Sequence, residues 1–478
     1  MFEVLFYGAA ISVALLVPFL IYAVVVGVTQ VTRHREAGWF HYCFYGIFLT
    51  VAVQTIASGR DLSFANWLSA VSGPPQMAAW AAWETRIISV LLLLAAAERI
   101  VTAVFNARSS TKITLLLPAF VMYWLGVVAS PALLGRYPKL SHEYLYPLIF
   151  GCAGLLVTQA ESERAIQAAR NALLMFIAAG VLFIPFNVGL VLETGYSQGY
   201  LPGVPRMAGL APYALQLGLI VQIAMFCLWD KPFKNSILNR LAWSLCLGVL
   251  VFAQSKTAWI SFAFAAAIML LLRQGAAVRK RLFDSENPVI GILIILATMV
   301  GVLLVAYTMV FGELGSKVMR FFDTDDGAKL LSFNGREEIW AITFAEWRQS
   351  PLFGYGPNLF SLEFRQSIGL LNATHAHNQF VDDLGRAGLV GATTLILYVL
   401  TLTVLCVRAA KATGGLSIAL FLVIIFRGVS EVPLALYNYG LDFAAHLLLL
   451  IVMVGASRIN TKSQMANTPS GSSLAMIA

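Results

Sequence analysis

The sequence predicts an all-α, polytopic transmembrane helical protein of about 12–13 spans, with one large external loop that contains short helices. Three observations predict it. Hydrophobic residues make up 59% of the 478 residues and charged residues only 12%, half the roughly 25% of a soluble domain. Apolar runs of about 20 residues, long enough to cross a bilayer, recur along the whole chain. The polar connections between them alternate in character. A β-barrel would instead show alternating segments of roughly 10 residues.

The first run, MFEVLFYGAAISVALLVPFLIYAVVVGV, has no basic n-region and no small-residue cleavage site, so it reads as a retained span. The expected spans are 4–28, 38–57, 77–104, 113–131, 144–159, 170–190, 208–229, 239–254, 256–272, 289–312, 385–408, 416–429 and 435–456. This divides the chain into an N-terminal bundle (1–312), a large hydrophilic loop (313–384), C-terminal helices (385–456) and a polar tail (457–478), the tail expected to be disordered and cytoplasmic.

One set of linkers is basic: TRHRE (32–36), NARSSTK (106–112), SERAIQAAR (162–170), DKPFKNSILNR (230–240), RQGAAVRKR (273–281), RAAK (408–411) and SRINTK (457–462). The other set is rich in aromatics, glycine and proline: 58–75, 135–144, 193–209, 254–256 and 313–384. The positive-inside rule puts the first set in the cytoplasm and the second outside, with the N-terminus out and the C-terminus in. The net charge of +8 is largely explained by that asymmetry. No basic stripe with interleaved aromatics points to nucleic acid. The five cysteines, Cys43, Cys152, Cys227, Cys246 and Cys406, lie in apolar segments without CxxC spacing and read as small buried hydrophobes.

Within the large loop, SFNGREEIWAITFAEWRQSP carries helix signals. Asn334 can cap, with Glu337 three residues on. Trp340, Phe344 and Trp347 form an apolar stripe, and Pro351 marks the stop.

His377 leads the candidate residues. It stands at the end of the loop, directly before a span, and a neutral imidazole can accept a proton near neutral pH. His375 is two residues away and would face elsewhere on a helix. On residue type alone, capping the next helix or binding water is the commoner use of such histidines. Arg206, Lys256, Arg336, Arg386 and Arg427 form an excess of cations on the expected external side, and arginine suits bidentate phosphate binding. Arg336 also opens a predicted helix, where backbone N–H groups favour an anion. The bland alternatives are headgroup contacts or local carboxylates, such as Arg427 with Glu431 at i, i+4. Asp382 and Asp383 follow His377, and either could orient Arg386. Asp323, Asp325 and Asp326 contain a DxD pattern, for which a solvated acidic turn is the commoner reading than a metal site. The intramembrane pairs Glu84 with Arg86 and Asp442 with His446 are adequately explained by pairing within their own helices.

These residues carry a resemblance. His377-Asn378, nine residues, then Gly388-Leu389-Val390-Gly391 resembles the H-[NSQ]-x9-G-x-x-[GTY] signature of bacterial O-antigen ligases. Arg206 to Leu210 resembles their R-x3-L element. NGREEIWAITFAEWRQSPLFGYG is similar to the stretch before the loop histidine in the wider ligase and polysaccharide-polymerase superfamily. SKTAW (255–259) sits where many members have Ser-Arg-Thr, so Lys256 departs from the common arginine.

The resemblance implies a metal-independent glycan transferase without cofactor, in the bacterial inner membrane, with its site facing the periplasm. His377 would be the base, and Arg206, Arg336 and Lys256 would bind pyrophosphate. His375, Asn378, Asp382, Arg386, Gly388 and Gly391 would support them. The donor would be an undecaprenyl-pyrophosphate-linked oligosaccharide, and the acceptor a second glycan or lipid A–core. Membrane lipids and other polysaccharide-assembly proteins are the further partners implied. Concentrated negative charge on the leaving group calls for fixed cations. With no carboxylate nucleophile implied, displacement would invert the anomeric centre. Polymerases are the more diverse in sequence, so the expected activity is a polymerase for exopolysaccharide or O-antigen repeats, with a ligase as the alternative. A transporter or flippase is the reading from another class. The clustering of polar candidates on one face and the lack of paired halves favour an enzyme.

Overall fold

The computed structural model describes residues 27, 38–62, 78–105, 115–194, 201, 204–282, 336–371 and 373–466. The expected spans 4–28 (but for residue 27) and 289–312 lie outside them, as do Asn334 and the DxD residues Asp323, Asp325 and Asp326.

The described chain is mostly helical. Its helices in order are α1 (Cys43–Ala57), α2 (Ala79–Phe105), α3 (Leu116–Leu134), α4 (Leu145–Leu155), α5 (Gln159–Leu182), α6 (Ala214–Asp230), α7 (Ser236–Phe252), α8 (Lys256–Leu282), α9 (Arg336–Gln349), α10 (Leu362–Ser367), α11 (Gln379–Ala409), α12 (Leu416–Gly428) and α13 (Leu441–Ala466). The only sheet among the described residues pairs β1 (Leu192–Glu193) with β2 (Arg206–Met207), antiparallel.

Six of these helical segments are long and apolar enough to cross a membrane: Phe40–Ala57, α2, α3, α5, α8 and α11. Four more, α6, α7, α12 and the Leu441–Ser457 part of α13, are apolar but shorter. The expected count of about 12–13 spans therefore reduces to six full-length ones among the described residues. The polytopic, all-helical class stands.

Helices α6 and α13 are buried all round, from Gln216 to Leu228 and from Phe443 to Val454. An element that is apolar on every face belongs at the centre of a bundle. α2 instead exposes Trp80, Trp83, Ile87 and Leu91, which suits a lipid-facing helix.

Three sequence readings need correcting here. The segment SERAIQAAR is helical, not a linker. α5 starts at Gln159 because Thr158 and Glu161 form a capping box, and Ser162 and Arg170 turn inward and are buried. α13 continues to Ala466, past the start of the tail expected from residue 457. Asp442 and His446 do not pair within their helix. His446 Nε2 lies 2.6 Å from the Tyr398 hydroxyl, while Asp442 accepts from Arg427 Nε at 2.8 Å. All five cysteines are free, four of them buried.

The contacts of the described linker residues gather near the two ends of α6. At one end, Arg170 reaches the Lys231 carbonyl, and Arg273 reaches Asp230 and the Gly414 carbonyl. At the other, Arg60 donates to carbonyls of Leu190, Gly209 and Pro212, and Arg136 N–H meets the Gly354 carbonyl. The candidate residues all belong to this second end.

Candidate functional site

Helix α9 forms where the aromatic stripe predicts it. Trp340 and Phe344 pack into a small second core with Leu359, Phe360, Phe364, Ala376 and Val381. Trp340 Nε1 donates to the Ala376 carbonyl at 2.8 Å, which ties α9 to the histidine loop. Trp347 Nε1 meets the Pro351 carbonyl at 3.1 Å, where the helix has stopped.

Asn378 caps α11, its side chain accepting from Val381 N–H at 3.1 Å. The histidines are not the caps. His377 sits immediately before that cap with φ +50°, a left-handed conformation rare for a residue with a side chain. The segment is not helical, so the condition under which His375 and His377 would face apart is not met. Their ring centroids are 4.2 Å apart, and both rings turn to one carboxylate.

That carboxylate is Glu431, in the connection between α12 and α13 and only 2% exposed. His377 Nδ1 lies 3.3 Å from its Oε1 and His375 Nε2 3.2 Å from its Oε2. Arg336, the first residue of α9, brings a guanidinium nitrogen to 4.0 Å from Oε1. Burial by itself pushes the Glu431 carboxyl up. The hydrogen bonds from His375 and His377 and the charge of Arg427 outweigh it and hold the group well below the usual carboxylate range. Glu431 is thus an anion at neutral pH. Arg427 acts on Glu431 through its charge and not as a direct hydrogen-bonded pair, because its guanidinium spends its hydrogen bonds on Asp442, the Leu215 carbonyl and the Tyr213 hydroxyl.

Asp382 ties the histidine loop to α11. One oxygen accepts from Ala376 N–H at 2.9 Å and the other from Arg386 Nε at 2.8 Å. Arg386 in turn donates to the Pro357 carbonyl at 2.6 Å and lies over the rings of Phe360 and Tyr437. Asp383, one residue on, turns into the bundle, where Gln379 donates to it and the Tyr123 hydroxyl lies at 3.2 Å.

The glycines of the signature serve a joint. α11 breaks at Gly388, with φ +63° and ψ −155°. The break leaves backbone groups without helical partners, and buried ones must find others. Residues 351–356 supply them. Tyr355 and Gly356 N–H donate to the carbonyls of Gly385 and Arg386, and Leu389 and Val390 N–H donate to those of Pro351 and Leu352. A Cβ on Gly388 would meet the Leu352 carbonyl at 2.5 Å, and one on Gly391 would meet Ala387 Cβ at 2.4 Å.

Arg206 and Lys256 form a second group. Arg206, in β2, donates through Nε to the Ala253 carbonyl at 3.0 Å and lies 3.6 Å from Glu193, its strand partner. Gln254 staples the two segments by donating to the Val204 carbonyl. Lys256 then opens α8. The structure thus brings Arg336, His375, His377 and Glu431 together, and separately Arg206 with the 253–256 turn.

His375, His377 and Glu431 each offer a donor atom within 4.8 Å of the others, a set of the kind that holds zinc. One detail opposes it. His377 N–H donates to His375 Nδ1 at 3.1 Å, so that nitrogen is bare. A metal on Nε2 would need the ring proton on Nδ1, where a donor already points. The arrangement suits a base held beside a buried anion, with a guanidinium close by.

No curated protein matches the chain. Residues 241–396 match the family model described as O-antigen ligase. That match takes in Lys256, Arg336, both histidines, Asp382, Arg386, Gly388 and Gly391, and leaves Arg206 and Glu431 outside. Over residues 241–396, about a third of the chain, the sequence is therefore similar to the O-antigen ligase and polymerase superfamily.

Proposed function

We propose that the protein is a bacterial inner-membrane polysaccharide polymerase. It transfers a glycan from an undecaprenyl-pyrophosphate-linked donor to the hydroxyl of an acceptor glycan, at the periplasmic face. In this reading the loop 313–384 supplies His377 and Arg336, and the N-terminal bundle (1–312) supplies Arg206 and Lys256. The observation that carries this reading is the convergence of His377 and Arg336 on Glu431 within the matched family region.

In this scheme the acceptor hydroxyl gives its proton to His377 as its oxygen bonds to the anomeric carbon. The bond from that carbon to the pyrophosphate oxygen breaks, and its electron pair leaves with the lipid pyrophosphate. Arg336, Arg206 and Lys256 stabilise the charge that builds there. One displacement inverts the anomeric centre. Cationic side chains supply the electrostatic stabilisation, so the scheme uses no metal ion and no cofactor. Two cationic groups would suit a diphosphate, which carries a charge on each phosphate.

Purified protein given a defined lipid-pyrophosphate oligosaccharide should produce a ladder of longer glycans, read by gel and mass spectrometry. His377→Ala should produce none while still inserting in membranes, and Arg206→Ala should raise the donor KM. A conjugate formed only when lipid A–core is added would make the protein a ligase. Movement of substrate between leaflets without any new glycosidic bond would make it a transporter. Near-normal transfer by His377→Ala would remove that residue from the role of base.

A further inference from the structure

A base at His377 needs one bare ring nitrogen aimed at the acceptor, and nothing in the imidazole itself decides which nitrogen that is. We infer that Glu431 is the positioning residue that makes the choice, by holding the proton on His377 Nδ1 and leaving Nε2 bare. This rests on the proposed role of His377.

The argument begins with hydrogen-bonding capacity. An ionised carboxylate only accepts. His377 Nδ1 faces Glu431 Oε1 at 3.3 Å, so a neutral ring keeps its proton there. The second histidine is fixed the opposite way. His375 Nδ1 accepts the backbone N–H of His377, so its proton stands on Nε2, 3.2 Å from Glu431 Oε2. Two rings, two residues apart, therefore carry opposite tautomers against the two oxygens of one carboxylate. The φ of +50° at His377 allows the same residue to donate its N–H to one ring while its own ring reaches Glu431.

Glu431 is itself held on both sides. Its N–H donates to the Arg427 carbonyl at 2.8 Å. Asn378 donates to the Val429 carbonyl at 3.2 Å, and Gln379 accepts from Leu434 N–H at 2.8 Å. The connection carrying Glu431 is thus clamped to the first turn of the helix that follows His377. Among the described residues, the charged and titratable groups facing Glu431 are His375 and His377 from the loop, Arg336 from α9, Arg427 from α12 and Tyr213 just before α6.

When Nε2 takes the acceptor proton, the ring becomes an imidazolium with both nitrogens protonated. Glu431 remains ionised and balances that charge. Its effect belongs to the transition state, so its loss should appear in kcat more than in KM. Replacing it with glutamine offers an NH2 donor to His377 Nδ1 and permits the wrong tautomer, the kind of change that costs about 10^4 in kcat in the serine-protease triad.

The test uses full-length protein in nanodiscs with 15N-labelled histidine, assigned through His375→Gln and His377→Gln. At a pH where the rings are neutral, wild-type His377 should show Nδ1–H and His375 Nε2–H. Glu431→Gln should lower kcat by about 100-fold or more with donor KM nearly unchanged, and Glu431→Asp should recover part of the loss. A neutral His377 with its proton on Nε2 overturns the inference, and so does a near-normal kcat for Glu431→Gln. If that variant fails to fold, the wild-type spectrum alone decides. Full activity in His377→Ala would instead sink the reading of the base, a separate result.

Discussion

Arg386 Nε stands 2.8 Å from Asp382 Oδ2, one turn earlier in the same helix, and the other Asp382 oxygen holds the N–H of Ala376. The pair is 12% and 3% exposed at its side chains, so each charge depends on the other. It joins three segments: the histidine loop, α11 and, through the Pro357 carbonyl, the loop after α9. Asp382→Asn keeps the shape but leaves a buried guanidinium without its anion. Breaking such a pair from one side costs about 3–5 kcal/mol. The expected result is a clear drop in thermal stability in detergent and loss of transfer. Full stability and activity in Asp382→Asn would mean that the pair does not set the loop.

Gly388 and Gly369 separate two effects of a methyl group. Both have left-handed φ, +63° and +72°. A Cβ on Gly369 meets nothing within 4 Å, whereas one on Gly388 runs into the Leu352 carbonyl at 2.5 Å. Gly369→Ala should cost only backbone strain, about 1–2 kcal/mol. Gly388→Ala adds displacement of residues 351–356 and should cost clearly more, with activity lost. Equal thermal shifts for the two variants would show that the joint yields freely.

The depressed Glu431 carboxyl makes a pH prediction of definite sign. Its folded value lies below its unfolded value of about 4.3. The unfolded chain therefore binds the proton first as pH falls. The stability that Glu431 contributes is complete above about pH 4.3 and is lost progressively below it. Between pH 5 and 7 this group should leave stability flat. Thermal unfolding of wild type and Glu431→Gln, compared from pH 7 to pH 3, should show the gap between them closing on the acid side. A gap that widens toward acid would reverse the sign and refute the assignment of a stabilised anion.

Local sequence pattern made part of this site legible. The stripe Trp340, Phe344 and Trp347, with Pro351 after it, gave α9, because amphipathic periodicity is read over one turn at a time. Asp382 with Arg386 followed from i, i+4 spacing within a real helix. The same rule offered Glu431 as a salt-bridge partner of Arg427, but although one backbone turn does join them, the Arg427 guanidinium is drawn to Asp442, the Leu215 carbonyl and the Tyr213 hydroxyl. It misread Asp442 with His446 for a similar reason: that helix is continuous, but partners on α12 and α11 compete successfully for both residues. Hydropathy placed a linker at 162–170 because it counts charges and cannot see that Ser162 and Arg170 turn inward. The pairing of 351–356 with α11 is backbone to backbone across the chain, and side-chain sequence carries almost no record of it.

That pairing also bears on how the protein is made. In hydrocarbon, an unpaired backbone group costs several kcal/mol, so a helix broken at Gly388 is poorly tolerated alone. Its missing partners, residues 351–356, leave the ribosome before α11 does. The chain therefore delivers the splint ahead of the fracture. A nascent chain whose loop has stayed on the wrong side of the bilayer would hold α11 with its break unsupported.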